Sequence, residues 1–304
     1  WARDYWYFSP VVQLLANRGY AVLQVNFRGS TGYGQRFTDQ ISGDWGGRCY
    51  QDLMLGLDFA GGKYDFLDTG RVAVIGGSFG GMQVLEWTVR FPDTVVAAIP
   101  LATTTKHSAL AIAFNEVARQ AIMADPNWNN GNYYYGPKPN LGLAVARMIG
   151  HITYLSDEAM RLKFGRRLQD KSDFSFNFDA DFQVESYLRY QGKKFVERFD
   201  ANSFLYLTKA ADYYDLEIQH GNGSEVHAFS KTTAKFLVVS FTSDWLYPTY
   251  QSRAMVKAMK KNGLDVSFCE IEAKWGHDAF LLSNERLFAL IKGFLERVYS
   301  ESQK

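Results

Sequence analysis

Gly76-Gly77-Ser78-Phe79-Gly80 stands between an apolar run at residues 72–75 and an amphipathic stretch at residues 81–90. The run reads as a buried strand and the stretch as a helix, so a serine is held on a tight strand-to-helix turn. Glycines flank it because such a turn brings backbone segments too close for side chains and imposes strained dihedrals. The turn lifts the hydroxyl clear of the sheet. It also aims the Phe79 N–H, and the start of the next helix, at the point where an oxyanion would form.

A nucleophilic serine needs a base, and the base needs an orienting group. On the fold built around a G-x-S-x-G turn, the α/β-hydrolase fold, the order along the chain is Ser, then Asp or Glu, then His. Residues 236–241 read as a buried strand with Ser243-Asp244 just past its end. Residues 264–271 read as the next strand, followed by Gly276-His277-Asp278. Of the five histidines, His107, His151, His220, His227 and His277, the last alone follows the final strand. Taken singly, Asp244 is equally well a solvated turn residue and His277 an ordinary loop histidine. Taken in order, they make Ser78 the nucleophile, His277 the general base and Asp244 the group that fixes the imidazole tautomer.

The rest of the chain supplies the frame. A helix is predicted over residues 9–19, a strand over 20–27, a glycine-rich loop over 28–34, a helix over 50–60 and a strand over 95–102. This alternation specifies a parallel sheet covered on both faces. It stops at about residue 108. Helical patterns then recur at 112–123, 141–154, 159–168, 182–190 and 203–213, a helical lid inserted between strands of the sheet. Residues 219–231 read as a polar loop. The expected organisation is a first core segment at 1–107, the lid at 108–215 and a second core segment at 216–304.

Composition excludes several classes of function. The 304 residues are 47% hydrophobic, enough for a sizeable core, and the net charge is +1 with no basic block, so nothing points to nucleic acid. No apolar run is long enough to cross a bilayer, and no signal peptide opens the chain. Cys49 and Cys269 have no pattern of spacing and fit free thiols in a reducing cytoplasm. No cofactor and no metal is expected: no histidine pair has zinc spacing, residues 125–131 misplace the glycine of a calcium loop, and residues 29–34 lack G-x-G-x-x-G spacing.

From the turn onward the chain resembles the homoserine O-acetyltransferase family. The resemblance is carried by Gly80-Gly81-Met82-Gln83, Ala113-Phe114-Asn115-Glu116-Val117-Ala118-Arg119-Gln120-Ala121-Ile122, Ala146-Arg147-Met148-Ile149-Gly150-His151, Glu185-Ser186-Tyr187-Leu188-Arg189-Tyr190, Phe241-Thr242-Ser243-Asp244-Trp245-Leu246 and Gly276-His277-Asp278-Ala279-Phe280-Leu281. It implies an α/β-hydrolase fold with a helical lid, an acyl-Ser78 intermediate, acetyl-CoA as donor, L-homoserine as acceptor and a homodimer formed through the lid helices. It also implies that Arg147 and Tyr154 hold the acceptor carboxylate and Asp278 its amine. Two turns apart on one helix, Arg147 and Tyr154 share a face. From pattern alone the three read more readily as a lid-surface arginine, a core tyrosine and a helix-start aspartate, and the resemblance reverses that.

Residues 1–80 resemble instead the catalytic domain of prolyl-oligopeptidase-type serine peptidases, through Trp1-Ala2-Arg3-Asp4-Tyr5-Trp6, Val25-Asn26-Phe27-Arg28-Gly29-Ser30-Thr31-Gly32-Tyr33-Gly34 and Asp44-Trp45-Gly46-Gly47. By that resemblance the Tyr33 hydroxyl joins the Phe79 N–H in the oxyanion hole; the other reading of Tyr33 is a loop aromatic packed on the surface. Both families carry a further strand ahead of residue 1, normally in the middle of the sheet, so an N-terminal part of the sheet is expected to be missing. A serine hydrolase, peptidase or esterase, and an inert hybrid of two related folds are the competing readings.

Overall fold

A computed structural model describes residues 12, 15–17, 19–25 and 48–303, the first three of the last span as backbone only. Four parallel strands, β1 (Val72–Gly77), β2 (Val95–Leu101), β3 (Lys235–Phe241) and β4 (Val266–Ile271), form one sheet in the order β1-β2-β3-β4. β2 and β3 lie in the middle and are buried along nearly their whole length, as expected of Val-Val-Ala-Ala-Ile-Pro-Leu and Lys-Phe-Leu-Val-Val-Ser-Phe.

Helices α1 (Arg48–Lys63), α2 (Phe79–Arg90) and α10 (Thr249–Lys261) cover one face. There Met82, Leu85, Val95, Phe236, Val238 and Met255 make a continuous core. Helix α11 (Glu285–Ser302) covers the other. Its Leu287, Ile291, Phe294, Leu295 and Val298 recur every three or four residues and pack on Ile99, Leu237, Val239 and Ile271. Asn284 caps it by accepting from the Leu287 N–H at 3.1 Å. Each large apolar side chain taken out of water there contributes about 1.5–3 kcal/mol.

Between β2 and β3 the chain leaves the sheet to build a layer of its own, from α3 (Ala109–Met123), α4 (Asn140–Tyr154), α5 (Asp157–Lys163), α6 (Gln183–Val196) and α7 (Ala201–Tyr213). Ala118, Ile122, Tyr133, Leu143, Ala146, Phe195 and Ala201 give it a separate core. Where it leaves and returns, Lys106 and Asp215 form an antiparallel bridge, and Lys106 also pairs with Glu217. The predicted lid helices are present. The one expected at 159–168 ends at Lys163, and the one expected at 182–190 runs on to Val196.

Two expectations are corrected. Residues 20–25 form no strand. Their apolar alternation marks a strand only if a neighbour accepts its hydrogen bonds, and no described strand pairs with them; residues 26 and 27 of the predicted strand lie outside the described residues. Residues 219–231 are not a plain loop: α8 (Leu216–Gly221) and α9 (Glu225–Ala228) occupy them, capped by Asp215 and Ser224. The first predicted helix falls largely outside the described residues; of it, Val12, Leu15 and Ala16 are helical.

Packing of the lid generates a stability prediction. Gly142 lets α4 lie directly on the end of α3, and a Cβ there would sit 2.4 Å from the Ala121 carbonyl oxygen and 2.7 Å from Ile122 Cα. Those atoms are backbone and cannot swing aside. Gly142→Ala is expected to lower stability by about 1–3 kcal/mol. Gly293→Ala, in α11 with nothing within 4 Å of its Cβ, is expected to raise it by about 0.5–1 kcal/mol. Urea unfolding of the two variants checks both signs; a neutral Gly142→Ala would refute the tight helix contact.

Candidate active site

Ser78 joins β1 to α2 with φ 57° and ψ −125°, a conformation that costs a non-glycine residue about 1–3 kcal/mol. Its backbone is pinned on both sides. The Ser78 N–H donates to Leu101 O at 2.9 Å, and the Thr103 hydroxyl donates to Ser78 O at 2.7 Å. A Cβ on Gly76 would meet the Gly80 carbonyl oxygen at 2.4 Å, so the glycine ahead of the serine is a steric requirement. Phe79 opens α2, whose first N–H groups have no acceptor within the helix.

Asp244 and His277 meet as the sequence proposes. His277 Nδ1 lies 2.8 Å from Asp244 Oδ2, and both side chains are buried. A carboxylate accepts only, so Nδ1 carries the proton and Nε2 is left as the base. The other oxygen, Asp244 Oδ1, accepts the Leu246 and Tyr247 N–H groups at 3.0 and 2.9 Å, which fixes the carboxylate. Gly276, at φ 74°, carries the chain past the backbone of Tyr154 to Ser156, where a Cβ would sit 2.5 Å from the Ser156 nitrogen.

The imidazole of His277 is enclosed by rings, with Tyr247, Phe280 and Tyr154 at centroid separations of 5.1, 5.4 and 6.0 Å. Ser78 does not hydrogen-bond to it among the described residues. Ser78 and Tyr247 line the same cavity.

Between this turn and the lid lies a cavity of about 700 Å³, lined by Ser78, Phe79 and Tyr247 from the core and by Arg147, Tyr154 and Arg198 from the lid. The Arg147 guanidinium rests 4.8 Å from the Phe195 ring centroid and 5.7 Å from that of Tyr154. Its Nε is buried without a hydrogen-bond partner, and among the described residues it has no ion-pair partner. Burial pushes the Asp278 carboxyl up, against the opposing pull of His277 and Arg147, and it pushes the Tyr154 phenol up as well. Arg147, Tyr154 and Asp278 thus sit close enough to feel one another's charge. Tyr33 and the loop at 28–34 lie outside the described residues, as does the side chain of Cys49; Cys269 is a free thiol. Among the described residues no group of three metal-ligating side chains assembles, and no helix is long and apolar enough to cross a membrane.

Sequence reading missed a second cluster. His107, just past β2, sets Nδ1 3.0 Å from Asp212 Oδ1 and Nε2 2.7 Å from the Tyr247 hydroxyl. Asn115 and Arg119 donate to the same Asp212 carboxylate, each at 2.7 Å. Position past a strand end could have flagged His107, and Asn115 and Arg119 are one helical turn apart. Nothing in the sequence ties them to Asp212, which arrives from α7.

Comparison with known proteins agrees with the divided sequence. The prolyl oligopeptidase family model matches residues 6–140. A homoserine O-acetyltransferase from Solidesulfovibrio magneticus is 72% identical over 237 residues, which is 78% of this chain and 60% of that protein. The chain therefore spans about three-fifths of the length of this relative. The crystal structure of homoserine O-acetyltransferase from Bacillus anthracis superposes with a TM-score of 0.66 at 26% identity, covering 80% of this chain and 64% of that one. Esterase E22 superposes with a TM-score of 0.68 at 24% identity, covering 79% and 65%, a likeness of fold alone. The chain has the α/β-hydrolase fold and resembles the homoserine O-acetyltransferases from the serine turn onward.

One buried group yields a prediction about pH. Burial, reinforced by the positive charges of Arg147, Lys163 and Arg198, lowers the His151 imidazole from 6.5 to about 4. In the unfolded chain it titrates near its ordinary value. Between these two values the unfolded state binds more protons than the folded one, so stability is complete above about 6.5 and is lost as the pH falls through about 4. His151→Gln removes this contribution. Its urea midpoint is expected to fall less steeply than that of the parent between pH 7 and 4, and parallel slopes would show that His151 is not held neutral by the fold.

Proposed function

We propose that this chain is an acyltransferase that moves an acetyl group from acetyl-CoA to the hydroxyl of L-homoserine through acyl-Ser78. The observation that carries the reading is Arg147, half-buried, with its Nε buried and without a hydrogen-bond partner, lining the same cavity as Ser78. A buried N–H without an acceptor is costly, and a ligand carboxylate at this cation supplies charge-assisted hydrogen bonds. The high identity to homoserine O-acetyltransferases supports the same acceptor.

In the first half-reaction His277 Nε2 takes the Ser78 proton as Oγ attacks the thioester carbonyl. The C–S bond breaks, and the thiolate leaves with the proton carried by the imidazole. In the second, His277 takes the proton of the homoserine hydroxyl, the new oxygen attacks the acyl-serine, and Ser78 Oγ departs and recovers its proton. Phe79 N–H faces the oxyanion of each tetrahedral intermediate, with Tyr33 as the proposed second donor. Arg147 and Tyr154 bind the acceptor carboxylate, and Asp278 its ammonium. The lid keeps water from the acyl-serine. The reaction needs no further cofactor. We place the protein in the cytoplasm, as a homodimer joined through lid helices whose Val117, Leu141, Val145 and Ile152 are exposed.

The prolyl oligopeptidase match supports a second reading, a serine hydrolase. Thiol release from acetyl-CoA separates the two: dependence on homoserine supports the transferase, and release in water alone supports the hydrolase. Ser78→Ala is expected to abolish thiol release, and Asp244→Asn to lower kcat by about four orders of magnitude through the wrong imidazole tautomer. Arg147→Met is expected to raise the KM for homoserine by about ten- to a hundredfold with a smaller change in kcat. An unchanged KM would take the carboxylate away from Arg147.

A further inference from the structure

His107 and Asp212 form a second buried imidazole–carboxylate pair, which the acyl-transfer mechanism leaves unused. Their side chains are 4% and 5% exposed. His107 Nδ1 lies 3.0 Å from Asp212 Oδ1, and the same carboxylate accepts from Asn115 and Arg119, each at 2.7 Å. Burial pushes the Asp212 carboxyl up, but the bonds from His107, Asn115 and Arg119 outweigh it and hold it below its ordinary value. A carboxylate accepts only, so His107 Nδ1 carries the proton and Nε2 presents a lone pair. The Tyr247 hydroxyl, 2.7 Å from Nε2, is therefore the donor of that bond.

Tyr247 joins this pair to the catalytic one. Its backbone N–H donates to Asp244 Oδ1 at 2.9 Å. Its ring stands edge-on to the His277 imidazole, at a centroid separation of 5.1 Å and an interplanar angle of 69°. One buried residue thus touches the orienting carboxylate, the base and the second imidazole. Its ring is anchored at both ends, by the backbone at Asp244 and by the hydroxyl at His107.

We propose that Tyr247 is a positioning residue for the Asp244–His277 pair, and that its hydroxyl bond to His107 and Asp212 ties the aim of the catalytic imidazole to the lid. Asp212 belongs to α7, and Asn115 and Arg119 to α3, so the helices that line the cavity with Ser78 also brace the base. With the hydroxyl bond broken, the Tyr247 ring keeps its place beside His277 but loses its far anchor. The base is then held less closely to the direction that proton transfer needs. This rests on the proposed triad of Ser78, His277 and Asp244, and not on the identity of the acyl donor or acceptor.

Two measurements on the full chain without substrate test this. One is the second-order rate at which a fluorophosphonate labels Ser78, followed by mass spectrometry, with Ser78→Ala as the blank. The other is the far-downfield proton NMR signal of His277 Nδ1–H, identified by its loss in His277→Gln. Tyr247→Phe keeps the ring and the backbone N–H and removes the far anchor. It is expected to label about two- to tenfold slower, the worth of one neutral hydrogen bond, and to shift or broaden the His277 signal. His107→Asn keeps a donor for Asp212 and loses the acceptor for the phenol; it is expected to act alike on both readouts. The double variant should be no slower than Tyr247→Phe. His107→Gln, whose longer amide reaches the position of Nε2, is expected to recover most of the rate lost in His107→Asn. Labelling of Tyr247→Phe at the parent rate or faster, an unmoved His277 signal, or effects of the two substitutions that multiply would overturn the proposal. So would His107→Asn with a lower melting temperature but an unchanged rate, the mark of a merely structural network. A parent chain that fails to label at all removes the acyl-serine reading and this inference with it, whereas a parent that labels at a rate Tyr247→Phe does not change removes this inference alone.

Discussion

A strained serine backbone needs a rigid anchor on each side, and this requirement organises the core of the chain. At φ 57° and ψ −125°, Ser78 gives up about 1–3 kcal/mol relative to an ordinary conformation. The parallel pairing of β1 with β2 supplies one anchor, since it ends with the Ser78 N–H on Leu101 O. The other comes from the turn after β2. Ala102, itself at φ 43°, swings Thr103 back so that its hydroxyl reaches Ser78 O and its side chain fills the space beside Gly81. Two neighbouring strands thus end in turns that brace each other. The nucleophile is carried by the pair rather than by one loop.

A division of labour between core and lid follows. The core holds the proposed triad: Ser78, His277 and Asp244 all lie at or beyond the carboxyl ends of β1, β4 and β3. The lid holds charges with no use in the lid itself. Arg147, half-buried, rests against Phe195 with no ion-pair partner among the described residues, while Arg119 is matched by Glu116 and Asp212. That contrast, an unpartnered Nε at Arg147 and a fully paired Arg119, is what the proposed carboxylate site rests on. Tyr247 stands where the two layers touch, with its backbone N–H on Asp244, its ring on His277 and its hydroxyl on His107.

Much of this was legible in the sequence, because the signals were local. The turn at Ser78 is written in five consecutive residues, and β2 and β3 in unbroken apolar runs. Asp244 and His277 each follow a strand end, so topology alone carries them to one edge of the sheet. Arg147 and Tyr154 share a helix face by spacing. Where reading failed, a long-range partner made the decision. Residues 20–25 have a strand's composition and no strand beside them among the described residues. The polar run at 219–231 became helical because Asp215 and Ser224 cap two short turns that pack under α10.

The sequence by itself determined the fold class, the order of Ser78, Asp244 and His277 along the chain, and the presence of a helical layer between β2 and β3, since each depends on residues adjacent in the chain or on the rule that parallel strands share one edge. The tertiary structure decided which polar groups meet beside the serine turn: His107, Asp212 and Tyr247 come together from three distant segments, and such a network is a property of the finished fold, which no single stretch of residues encodes.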